Sequence, residues 1–76
     1  MSSDIQFETF LLVSFNKFSI LVIKTSDLQK IYQEEIQFSN DSNQINLDKL
    51  NFFLDNNIFK IEKILKNFVK NIYLII

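Results

Sequence analysis

Apolar residues along the chain fall into blocks with different periods. Residues 9–15 (TFLLVSF) and 18–24 (FSILVIK) are short runs, apolar at odd and even positions alike. A strand with one solvated face alternates, so these runs predict central strands covered on both faces. Asn16-Lys17 between them predicts a tight turn, with Asn in the left-handed position that glycine usually fills. Thr25-Ser26-Asp27 is a second turn signal. Residues 28–38 (LQKIYQEEIQF) then alternate in part. Leu28, Tyr32, Ile36 and Phe38 point one way, and Gln29, Gln33, Glu35 and Gln37 the other. Lys30, Ile31 and Glu34 break the alternation, as at a bulge or an exposed edge.

A polar loop, residues 39–46 (SNDSNQIN), precedes a change of period. Leu47, Leu50, Leu54, Ile58, Ile61, Leu65 and Phe68 follow one another at spacings of 3, 4, 4, 3, 4 and 3. That predicts one helical face, with Asn46 as N-cap and Asn67 as left-handed C-cap. Asp48 and Asp55 near the start and Lys60, Lys63, Lys66 and Lys70 near the end suit the helix dipole, and Glu62–Lys66 is a favourable i,i+4 pair. Residues 70–76 (KNIYLII) return to strand character. The expected fold is α+β: an antiparallel three-stranded meander, one long helix, then a fourth strand parallel to the first. The β-β-β-α-β order implies strand order 3-2-1-4 with a right-handed crossover. Residues 1–76 form one small domain, and the polar residues 1–8 are expected to fray.

Composition removes most catalytic chemistry. The chain has no Cys, His, Gly or Arg. Disulfides, thiolate metal sites, imidazole bases, glycine phosphate loops and bidentate phosphate clamps are therefore unavailable. Ile, Phe, Asn and Lys make up half of the residues, a bias that matches AT-rich codons. The formal net charge is −1 and neither half is strongly basic, so no nucleic-acid partner is expected. Glu8, Asn16 and Lys17 interrupt the apolar region 7–23, which rules against direct membrane insertion. The start of the chain carries an acid and no base, unlike a signal peptide, and a cytoplasmic location is expected.

The remaining polar clusters read as structure. Glu34 and Glu35 are adjacent in a predicted strand and point to opposite faces, so they do not form a catalytic pair. Asp41, Asp48 and the nearby Asn residues lack the spacing of a calcium loop. Ser14 and Ser19 have no histidine to activate them. No catalytic residue, cofactor or metal site is therefore expected.

Two apolar features point to contacts instead. On a wheel of 100° per residue from Leu47, Phe52 falls at about 140° and Phe59 at about 120°, opposite the core face. These two are a candidate partner contact, flanked by Asp48, Asp55, Lys63 and Lys66. The last strand (Ile72, Tyr73, Leu74, Ile75 and Ile76) is an uncharged apolar edge and a candidate self-association strand. One helix covers one sheet face, so Phe10, Leu12, Leu21 and Ile23, or the opposite set Leu11, Val13, Ile20 and Val22, is left uncovered. A homodimer packed face to face is expected.

The order of elements resembles the opening of the actin-like ATPase fold, with the FtsA family of bacterial cell-division proteins the nearest likeness. VSFNKFSILVI resembles that family's first phosphate loop between two apolar strands. LDKLNFFLDNNIFKIEKILKNFVKNIYLII resembles its first helix and fourth strand. The likeness spans residues 9–76. Ser14 stands where the family has a metal-associated Asp, Asn16 where it has a Gly, Lys17 where it has a small hydroxyl residue, and Ser19 where it has a Lys. The resemblance thus implies a non-catalytic fragment or degenerate relative acting through protein–protein contacts, with cell-division proteins as implied partners. The alternative is an unrelated self-associating α+β module that binds a peptide strand at its sheet edge.

Overall fold

A computed structural model describes residues 6–41, 43–69 and 71–76. The elements are β1 (Phe7–Val13), β2 (Lys17–Lys24), β3 (Gln29–Gln37), α1 (Leu47–Leu65) and β4 (Ile72–Ile75). They form an α+β fold with a four-stranded sheet in the order β3-β2-β1-β4. β1 pairs antiparallel with β2, and β2 with β3, while β4 lies parallel to β1. This is the expected order and direction of every strand. The expected fraying concerns residues 1–8: positions 1–5 lie outside the described residues, and Phe7 and Glu8 already belong to β1.

The turns differ from expectation because side chains replace the missing glycines. At the β1–β2 turn Ser14 N–H donates to the Lys17 carbonyl at 2.9 Å. The Ser14 hydroxyl shares its proton between Asn16 Oδ1 at 3.2 Å and the Lys17 carbonyl at 3.1 Å. Asn16 does not take a left-handed conformation. Leu28, expected to open the third strand, instead sits in the β2–β3 turn at φ 58° and is 72% exposed. Asp27 Oδ1 accepts from the Gln29 N–H at 3.2 Å and holds that turn. The broken alternation in β3 is a bulge. Pairing jumps from Val22↔Tyr32 to Ile23↔Lys30, leaving Ile31 without a partner residue.

The registers divide the two candidate sheet faces. Leu11, Val13, Ile20 and Val22 are buried with Phe18 under α1. Phe53 and Ile61 complete this cluster from the helix. The Phe18 ring sits 5.0 Å from Phe38, edge-on, and 5.8 Å from Phe53. Each large apolar side chain so buried contributes about 2 kcal/mol. The other set, Phe10, Leu12, Leu21 and Ile23, lies on the open face.

Helix α1 begins as expected, since Asn46 Oδ1 accepts from the Lys49 N–H at 3.0 Å. Its end needs correction. Lys66, not Asn67, takes the left-handed C-cap conformation (φ 54°, ψ 36°). Glu62 does not pair with Lys66; its Oε2 accepts from the Val69 N–H at 2.9 Å. Phe53, Asn57 and Ile61 are the buried line of the helix, while Leu47 and Phe68 are 66% and 79% exposed. Leu50, Leu54 and Leu65 of the expected face still pack against the core beside this line, so only the two ends of that face, Leu47 and Phe68, fall away from it, and the polar residue within the buried line is Asn57. Asn57 Nδ2 donates to the Phe53 carbonyl at 2.8 Å, and Oδ1 accepts from the Tyr32 hydroxyl at 2.5 Å.

Candidate contact surfaces

The β1–β2 hairpin spends its polar groups on folding. The Ser14 and Asn16 side chains close the turn on each other. The Asn16 carbonyl accepts from the Phe38 N–H at 2.9 Å, and the Phe15 carbonyl from Asn40 Nδ2 at 2.8 Å. These two bonds tie the polar loop to the hairpin tip. Ser19 is buried in the sheet, and Lys17 starts β2 with its Nζ 4.0 Å from Glu35.

The adjacent acids diverge as strand geometry requires. Glu34 lies on the helix side, 3.9 Å from Lys60 Nζ, and Glu35 on the open side against Lys17. Both are exposed pairs, of a kind worth about 0–1 kcal/mol. Asp41 and Asp48 are exposed, and no trio of metal-ligating side chains converges among the described residues.

The open face of the sheet is arranged in rows set by the register. One row runs Gln33, Leu21, Phe10, Tyr73; the next runs Glu35, Ser19, Leu12, Ile75. Phe10 and Tyr73 stack with ring centroids 5.3 Å apart and planes 24° apart. Leu12, Tyr73 and Ile75 are each between 40% and 50% exposed. Charge is confined to the margins, with Lys17, Glu35 and Lys30 on the β2–β3 side and Glu8 beside Ile23. Among the described residues nothing packs on this face.

The predicted self-association strand borders that face. Ile72 is half-buried against Thr9, whereas Leu74 on the helix side is 56% exposed and Ile76, past the end of β4, is 84% exposed. β4 ends the sheet, so its outer backbone edge has no neighbour among the described residues. On α1, Phe52 and Phe59 are 72% and 61% exposed, on the side away from the sheet. Lys63 Nζ lies 4.7 Å above the Phe59 ring, a cation–π contact. The structure places Phe52 and Phe59 on one surface and Tyr73 and Ile75 on the opposite one.

Tyr32 and Asn57 form a polar junction that periodicity alone does not reveal. Burial pushes the Tyr32 hydroxyl pKa up, and the charge of Glu34 and the bond to it act in the same direction. The signal was present: an Asn inside an apolar helical seam needs a partner in the facing sheet. No helix among the described residues is long and apolar enough to cross a membrane. The chain matches no protein-family model, no curated protein and no solved structure.

Proposed function

We propose that the chain is a non-catalytic protein-contact module acting in the cytoplasm, and that it works through the sheet face that α1 leaves open. One observation carries the reading: Phe10, Leu12, Leu21, Tyr73 and Ile75 form a continuous apolar surface with charge only at its margin. Such a surface stabilises a complex when another polypeptide removes it from water. The test is site-specific photo-crosslinking in cells from a probe at Leu12. A covalent adduct to a polypeptide, this chain or another, is the expected result. Crosslinking to no polypeptide above the level of a probe at exposed Leu47 would sink the reading.

A second reading is a degenerate FtsA-like subdomain whose contacts are with cell-division proteins. The strand order β3-β2-β1-β4 with β4 parallel to β1 favours it. In either reading the hairpin at Ser14 is not a nucleotide site. Calorimetric titration with magnesium and ATP is the check, and binding at tens of micromolar would overturn that point.

A further inference from the structure

We infer that the polypeptide covering the open sheet face is a second copy of this chain, docked about a two-fold axis that lies in the interface and runs across the strands. This rests on the proposed contact function and names its partner. An isologous contact needs a face that complements itself. The register provides one. A two-fold axis between the Phe10 row and the Leu12 row exchanges those rows, so Leu12 of each copy lies over Phe10 of the other, and Ile75 over Tyr73. An aliphatic side chain then meets an aromatic ring at four places around the axis. The same operation sets Glu35 over Gln33 and Lys17 over Ile23, and opposes neither Glu35 nor Lys17 to its own copy.

Four strands at about 4.8 Å spacing and seven residues of length cover about 20 by 20 Å. That is a projected area of about 400 Å², about half of the ~800 Å² per partner of standard-size complexes, which places the contact at the smaller, weaker end of specific association. Edge pairing through β4 offers less, because the strand has only four residues. It also leaves Leu12 and Leu21 wet. A foreign strand added at β4 would leave them equally wet.

Analytical ultracentrifugation of the 76-residue chain tests this. The wild type is expected to reach twice the 9.1 kDa chain mass as concentration rises through the micromolar range. Leu12→Lys is expected to weaken association at least tenfold with an unchanged circular dichroism spectrum, because Leu12 is 40% exposed in the single copy. Phe10→Glu alone should also dissociate. Mixing the two variants should restore a dimer, since the new Lys and Glu then face each other once and the native Leu12–Phe10 contact forms once. If Phe10→Glu fails to fold, Ile75→Lys mixed with Tyr73→Glu makes the same comparison on exposed positions. A wild type that remains a monomer at hundreds of micromolar overturns the dimer. So does a Leu12→Lys variant that associates like the wild type, which would indicate edge pairing. A monomer that still crosslinks through Leu12 to another polypeptide overturns the dimer alone, whereas a monomer with no such crosslink overturns the contact function as well.

Discussion

The Tyr32 hydroxyl donates to Asn57 Oδ1 at 2.5 Å and so joins the edge strand β3 to the centre of α1, 25 residues along the chain. Asn57 is 3% exposed, and its amide nitrogen is already committed to the Phe53 carbonyl. Removing either partner strands a polar atom at the helix–sheet junction. Tyr32→Phe and Asn57→Ala are each expected to cost about 1–3 kcal/mol of unfolding free energy. In a double-mutant cycle read by urea unfolding, the double variant should lose less than the sum. Additive losses would show that the two side chains act independently.

The same junction gives stability a pH dependence. The folded state holds the Tyr32 proton to higher pH than the unfolded chain, whose tyrosine titrates near its ordinary value of 10.0. The contribution is full below that value and is lost as pH rises through the raised folded pKa. Unfolding free energy should therefore fall more steeply above about pH 10 in the wild type than in Tyr32→Phe. Equal slopes in urea titrations across that range would remove the linkage.

Phe52 and Phe53 are neighbours with opposite roles. Phe52→Ser and Phe59→Ser together should leave the unfolding free energy within about 0.5 kcal/mol per substitution, because both rings are exposed. Phe53→Ala should cost about 3–5 kcal/mol, since its ring is buried against Phe18. Thermal and urea unfolding separate the two. If Phe52 and Phe59 form a second contact surface, their replacement should weaken that contact while the fold persists.

Among the described residues, two backbone positions carry a conformation that glycine favours, in a chain without glycine. Leu28 has φ 58° and Lys66 φ 54°. A left-handed conformation costs an L-residue about 1–2 kcal/mol, so Leu28→Gly and Lys66→Gly should each raise stability by up to about 1 kcal/mol. Asn67→Gly serves as the control, because Asn67 does not hold the cap and its replacement should give no gain. A rise in melting temperature for Lys66→Gly but not Asn67→Gly is the expected result.

The amino-acid sequence by itself determined the element order, the strand directions and the strand order 3-2-1-4. Those follow from local period, from loop length and from the need of a helix to return its chain to the sheet. It also determined the helix start at Asn46 and the position of Phe52 and Phe59 off the core. Tertiary structure decided the rest, for identifiable reasons. Residues 9–15 and 18–24 are apolar on both faces, so only the position of α1 selects Leu11, Val13, Ile20 and Val22 for burial and leaves Phe10, Leu12, Leu21 and Ile23 open. The buried line of the helix includes Asn57, which a periodicity of apolar residues counts against the core. Its burial is tolerated only because Tyr32, from a strand remote in sequence, supplies a hydrogen bond. The turns at Ser14 and Leu28 and the cap at Lys66 were settled by side-chain bonds and chain direction at each site. With no glycine available, composition did not mark which residue would adopt the left-handed conformation.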